Sequence, residues 1–181
     1  MMRLLRVLRL KLRSIRAIIA ATPLNARQIR MLDATDSRLL ALLQANAMLT
    51  AQDLGEALNL SPSQAARRRQ RLEAEGFVIG YAARLNPARV GLTVQAFVQV
   101  QFARHDPEPP RSFSSLIATL PEVISAWTLT GEADYLLRVW CADLPELNRI
   151  IHHVLLPHPA VARVQSQIVM DQLKSDAPLP T

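Results

Sequence analysis

SPSQAARRRQRLEAEG, residues 61–76, is the stretch on which the fold turns. Ser61 is a side chain that accepts from the first amides of a helix. Pro62 suits the first helical position, where its missing N–H would have had no partner, and Gln64, three residues after the cap, completes a capping box. Gly76 supplies the stop. Between these ends, small Ala65 and Ala66 allow a neighbouring helix to come close, while Arg67, Arg68, Arg69 and Arg71 concentrate positive charge. Positions 62, 65, 66, 69 and 72 share the inward stripe, so Arg69 stands where an aliphatic residue is expected and has to snorkel its guanidinium outward.

Working backwards, Asn59 and Leu60 form a short turn, and Thr50-Ala51-Gln52-Asp53 is a second capping box opening a helix whose apolar face is Leu54, Ala57 and Leu58. Gly55 lies inside that helix, where it weakens helical propensity. Asp33 caps an earlier helix running through Leu43, with Leu32, Leu39, Leu40, Leu42 and Leu43 at helical spacing. Three short helices, the last two joined by a tight turn, form a helix-turn-helix, and Phe77-Val78-Ile79-Gly80-Tyr81 reads as a short strand that makes it winged. A recognition helix reads DNA chiefly through its N-terminal half. Ser63, Gln64 and Arg67 are therefore expected at base edges and Arg68 and Arg71 at phosphates, with Thr50 and Ser61 at the two helix starts completing the DNA-binding set. An arginine run taken alone is as well explained by a solvated helix face; the three-helix frame is what favours double-stranded DNA as partner.

The formal net charge of +6 does not carry this argument. Residues 1–30 hold eight basic residues and no acid, leaving thirteen basic against fifteen acidic side chains in 31–181. The body is slightly acidic, so DNA binding there needs a local basic patch. In 1–30, Arg3, Arg6, Arg9, Arg13 and Arg16 recur every three or four residues, giving a basic stripe on an amphipathic helix. Arginine interrupts it too often for a transmembrane span, and no stable membrane insertion is expected. Three readings stay open for 1–30: an interfacial helix, an extra phosphate-binding arm, or upstream sequence not normally translated, with Met31 as the start. The lone Cys141 excludes an internal disulfide framework, no zinc-type spacing occurs, and a cytoplasmic setting is expected, with no metal or cofactor.

After a linker at 84–91 the pattern changes. Val94, Ala96, Val98, Val100 and Phe102 alternate with Thr93, Gln95, Phe97, Gln99 and Gln101 as a long strand with one strongly apolar face. Phe113, Leu116, Ile117 and Leu120 mark a helix. Val123 to Thr130 and Tyr135 to Trp140 read as strands, Asp143 caps a helix with Leu147, Ile150, Ile151 and Val154 inward, and Val161 to Met170 is a last strand. The order βαββαβ is the ferredoxin-like arrangement, and the repeated Pro-x-Val at 121–123 and 159–161 fits two related halves. The fold class is thus α+β: a winged helix-turn-helix over 31–83 and a ferredoxin-like domain over 92–175, followed by a tail at 176–181. Helices cover one sheet face; the other, with Gln95, Phe97, Gln99, Arg163, Gln165 and Gln167, suits pairing with a second subunit.

With LDATDSRLLALLQAN, LSPSQAARRRQRLEAEGFVIGYAARLNP, LPEV and TGEADYLL in this order and spacing, the chain resembles the leucine-responsive regulatory protein/AsnC family of prokaryotic regulators over 31–175. The resemblance implies a transcription regulator that forms homodimers through the αβ domain and higher assemblies from them. It also implies a small-molecule effector, an amino acid, bound near the loop Thr130, Gly131, Glu132, Ala133 and Asp134. In that loop Gly131 permits a close ligand approach, exposed amides can receive a carboxylate, and Asp134 can pair with an amino group. The plainer reading is that Gly131 and Asp134 only make a tight strand connection. Gly55, where alanine is usual, Arg69 and the segment before Met31 depart from the family pattern.

Two other classes compete. Some relatives of this two-domain layout decarboxylate sirohaem-type tetrapyrroles, but they call for an aromatic-rich strand and a His/Arg pocket where this chain has TGEADYLL. His152 and His153, adjacent on a helix, point about 100° apart. The other alternative is an oligomeric sensor that does not touch DNA, which the acidic body mildly favours.

Overall fold

The computed structural model describes residues 32–103 and 111–181. The three readings of 1–30 lie outside the described residues. The chain divides into two units, one formed by the described residues up to Arg84 with Leu173–Thr181, the other by Leu85–Gln172.

In the first unit, α1 (Ala34–Ala45), α2 (Ala51–Leu58) and α3 (Pro62–Ala74) follow in order. Both expected capping boxes are formed: Thr50 with Asp53, and Ser61 with Gln64. Leu39, Leu40 and Leu43 of α1 meet Leu54 and Leu58 of α2 and Ala65 and Leu72 of α3 in one buried cluster. Ala57 is exposed, contrary to expectation. Buried Gly55 takes its place, and a Cβ there would lie 2.8 Å from the Leu60 carbonyl oxygen. The turn into α3 is thus folded tightly against position 55, which is a reason for glycine despite its helical cost. Asn59, at φ 55° and ψ 47°, makes the turn. At the end of α3, Phe77 N donates to Leu72 O and Gly76 N to Glu73 O, with Gly76 at φ 78°, a Schellman stop.

The expected strand at 77–81 is not formed. Phe77 and Val78 bend back onto the end of α3, their amides donating to Leu72 O, residues 79–81 form no ladder, and Ile79 is 99% exposed. A strand exists only through hydrogen bonds to a neighbour, and no strand is assigned in this unit among the described residues. The tail joins this unit instead: Gln44 donates from Nε2 to Leu179 O at 3.0 Å and accepts from Leu179 N at 2.6 Å.

The second unit holds β1 (Val94–Phe102), α4 (Arg111–Ala118), β2 (Val123–Thr128), β3 (Tyr135–Cys141), α5 (Leu144–Arg149) and β4 (Val161–Ile168). The sheet is antiparallel in the order β2-β3-β1-β4, the ferredoxin-like topology expected from the sequence. Ala96, Val98, Val100 and Phe102 of β1 face Tyr135, Leu137, Val139 and Cys141 of β3 toward Phe113, Leu147, Ile150 and Leu155. The registers Phe97↔Gln167, Gln99↔Gln165 and Gln101↔Arg163 put the glutamines and arginine on the opposite face, as expected. Leu136, Arg138 and Trp140 join them there.

One local difference is instructive. After α5 the chain widens into a π-turn, Ile150–Leu155, with Leu156 N donating to Ile151 O. The wider turn brings Leu155, five residues after Ile150, fully inward and leaves Val154 half-buried, where α-helical spacing had placed Val154 in the core.

Phe113 is fully buried, with ring centroids 5.0 Å from both Phe102 and Tyr135. Phe113→Ala is expected to cost about 3–5 kcal/mol. Both tryptophans, Trp127 and Trp140, lie in this unit, so urea unfolding followed by their fluorescence measures it. A loss below about 1 kcal/mol would mean that the α4 face is not part of the core.

Candidate DNA-reading helix and effector loop

The seven side chains expected at DNA, five of them on α3, divide by what already holds them. Thr50 and Ser61 are occupied as caps, and Gln64 Oε1 accepts from Ser61 N at 3.0 Å. Ser63 is exposed, its hydroxyl 3.1 Å from that of Ser61. Arg67 is exposed, and among the described residues no hydrogen bond or ion pair holds it.

Arg68 and Arg71 are held by α1. Arg68 Nη1 donates to Asp33 Oδ2 and to Asp36 Oδ1, each at 2.7 Å, and Arg71 Nη2 donates to Asp36 Oδ2. The two carboxylates raise the pKa of Arg68 further, Asp33 contributing most. In return Arg68, with the Asp36 amide, holds the Asp33 carboxyl below its ordinary range. Asp36, which the sequence reading passed over, is only 4% exposed. Its signal was present: 36, 39, 40 and 43 share one helical face, so a carboxylate sits in a leucine stripe and demands a cationic partner.

Arg69 does snorkel. Its Nε donates to Glu73 at 2.9 Å, its Nη1 to Leu49 O at 3.1 Å, and its guanidinium lies 5.0 Å from the Tyr81 ring centroid. Tyr81 Oη donates to the same Glu73 oxygen at 2.7 Å. The chain after α3 is thereby tied back to it.

In the second unit the expected effector loop joins β2 to β3. Gly131 has φ 152°, and nothing lies within 4 Å of where its Cβ would be. Asp134 closes the loop: its Oδ2 accepts from Phe102 N at 2.8 Å, its amide donates to Val100 O and its carbonyl accepts from Leu129 N. Glu132 and Ala133 line a shallow open cleft with Gln99, Gln101, Arg163 and Gln165. Arg163 and Glu132 approach to 4.0 Å. Thr130 is exposed and is not among those lining residues. That the glutamines and Arg163 of the expected pairing face also line a cleft was not read from the sequence; they meet through the β1–β4 register.

His152, His153 and His158 do not converge. His152 and His153 are exposed, whereas His158 packs on Phe113 and lies 3.2 Å from Ser112 Oγ. Among the described residues no group of three or more His, Cys, Asp or Glu could hold a metal ion, and no helix is long and apolar enough to cross a membrane.

Residues 32–73 match the AsnC-type helix-turn-helix domain and residues 95–179 the Lrp/AsnC ligand binding domain. The DNA-binding transcriptional activator DecR of Escherichia coli K12 is 37% identical over 150 residues, covering 83% of this chain and 99% of that protein. The chain belongs to the Lrp/AsnC family of DNA-binding transcription regulators. The leucine-responsive regulatory protein of Haemophilus influenzae is 30% identical over 83% of this chain and 91% of its own length. A transcriptional regulator of Neisseria meningitidis, solved as a complex with L-Met, is 39% identical with a TM-score of 0.78, covering 83% of this chain and 97% of that one. Membership in this family makes the chain a regulator modulated by a small effector.

The Glu73 carboxyl is held below its ordinary 4.5 by the Tyr81 hydroxyl first and Arg69 second. A depressed folded-state value contributes stability that is complete above the unfolded pKa and is lost as pH falls through the folded one. Helical signal followed in urea between pH 6 and pH 3 is therefore expected to lose less stability in Glu73→Gln than in the natural protein. Equal losses would mean that the Tyr81 tie does not form in solution.

Proposed function

We propose that this protein is a cytoplasmic, non-enzymatic regulator that reads double-stranded DNA through the N-terminal half of α3 and senses an amino acid in the cleft beside residues 130–134. The observation that carries the DNA reading is the outward, unpartnered Arg67 on the same helix start as Ser63, in a body without general attraction to phosphates. Ser63, Arg67 and the unoccupied amide end of Gln64 are the groups offered to base edges. Arginine pairs bidentately with guanine in the major groove, and such a contact discriminates by about 1–3 kcal/mol.

For the effector, Arg163 opposite Glu132 supplies a cation and an anion within one polar cleft, which suits the carboxylate and ammonium of a zwitterion. Asp134, engaged with Phe102 N, serves as the fixed floor of the loop rather than as the ammonium's partner. The names of relatives, a leucine-responsive regulator and a complex with L-Met, support an amino acid as the class. The outer sheet face, with half-buried Phe97, Leu136 and Trp140, supports homodimers and larger assemblies.

Binding to DNA from upstream of its own coding region, against an unrelated fragment of equal length at two salt concentrations, tests the reading. Selective binding that weakens with salt is expected, and Arg67→Ala is expected to reduce the selectivity about 10- to 100-fold, the size of one bidentate base contact. Unaltered selectivity in that variant would remove α3 from the reading role. Adding individual amino acids should shift DNA affinity or sedimentation for at least one of them, a response that Arg163→Ala is expected to abolish. A persistent response in the variant would place the effector elsewhere.

A further inference from the structure

Of the four arginines on α3, three are held by specific partners. Arg69 is committed to Glu73, the Leu49 carbonyl and the Tyr81 ring. Arg68 and Arg71 share Asp36, one on each carboxylate oxygen, and Asp33 adds a second anion to Arg68. Two guanidiniums against two carboxylates leave no net charge at that patch. Arg71 Nε is buried and makes no hydrogen bond, so the pull toward Asp36 holds the side chain where one of its own donors goes unsatisfied.

Position 71 is one turn beyond position 67, only about 40° around the helix. Without Asp36, Arg71 has nothing from α1 to turn it away from the face that Arg67 presents. Phosphate contacts add affinity without sequence information, whereas base contacts discriminate. Every arginine released from Asp36 therefore adds attraction to any DNA at all.

We propose that Asp36 is a positioning residue for DNA selectivity: it holds Arg68 and Arg71 off the phosphate backbone, leaving Arg67 as the arginine of the cluster that reads a base. The inference rests on α3 being the DNA-reading helix. Asp36 touches no DNA; it sets which cations on α3 are free to do so, and together with Asp33 it fixes α3 against α1.

The experiment measures affinity for the upstream fragment and for the unrelated fragment across a salt series, using the full chain. For Asp36→Asn the plot of log affinity against log salt is expected to steepen by about 1–2 per DNA-reading head, since each neutralised phosphate contributes about 0.9. The preference for the upstream fragment is expected to fall at least tenfold. For Arg68→Gln, which releases no arginine, the salt slope is expected to stay as in the natural protein. An unchanged slope in folded Asp36→Asn, or a slope reduced by about one in Arg68→Gln, overturns the proposal, because either result means that Arg68 and Arg71 already reach phosphates. Should Asp36→Asn prove unfolded by circular dichroism, the Arg68→Gln slope decides alone. If the natural protein shows no preference between fragments, the reading of α3 itself fails; if it shows a preference and the variant slopes go against expectation, only the role of Asp36 fails.

Discussion

The Asp36 carboxylate, 4% exposed in a leucine stripe, is tolerable only because both of its oxygens receive a guanidinium donor. Taking a charge out of water costs several kcal/mol, and pairing returns that only when the geometry is good and the remaining lone pairs are used. Such a cluster is weak evidence for stability but strong evidence for orientation, since leucine packing alone lets helices slide and rotate. Here α1 and α3 are locked in one rotation, and the side chains on the opposite side of α3 inherit that setting. Arg38 adds a second tie of the same kind, donating to the Ala57 carbonyl at the end of α2 at 2.9 Å. An orphan helix-end carbonyl is thus satisfied from α1.

The sheet unit is governed by a different constraint. Two helices can cover one face of four strands, so the residues of β1 and β3 alternate between a packed aromatic and aliphatic layer and an outer layer of mixed character. The outer layer is costly where it is apolar and useful where it is polar. At the β1–β4 register shift between Gln101 and Phe102, the Phe102 amide is met by Asp134 rather than by a strand. That single carboxylate joins the end of β1 to the loop before β3, so anything that moves the loop also acts on the end of the central strand pair.

What could be read from sequence was what is local. Capping boxes at Thr50 and Ser61, the Gly76 stop, the period-two pattern of β1 and the repeated Pro-x-Val each fix a few neighbouring residues, and all of them lie where local chemistry places them. The expectations that failed were those needing a partner. Residues 77–81 have strand-forming side chains but no neighbour to pair with. Ala57 lost its inward place to Gly55, because the Leu60 carbonyl occupies the space beside it. The ion pairs of Arg68 and Arg71 were not foreseen, because the acids that hold them are 32 to 35 positions away. The signal for that pairing was the misplaced carboxylate at 36, opposite in character to the misplaced arginine at 69. At the effector loop, likewise, Asp134 was legible as an anion but not as the partner of a backbone amide 32 residues earlier.

The two units are linked through function by the distribution of charge. A body with more acids than bases has no long-range pull toward DNA, and an α3 with one unpartnered arginine offers few phosphate contacts. Under the proposed role of Asp36, a single head of this kind binds weakly, and its discrimination is set by base contacts instead of being swamped by backbone attraction. Joining heads raises affinity, because the second binding event becomes intramolecular and avidity exceeds either affinity by about 10²–10⁴ without a new contact. Assembly through the sheet unit, as proposed above, supplies that gain only when the spacing of heads suits the spacing of sites. A ligand that binds one assembly state better than another shifts that spacing, and weak, selective heads make the regulator responsive to the shift. Strongly cationic heads would bind DNA in any assembly state and leave the effector nothing to control.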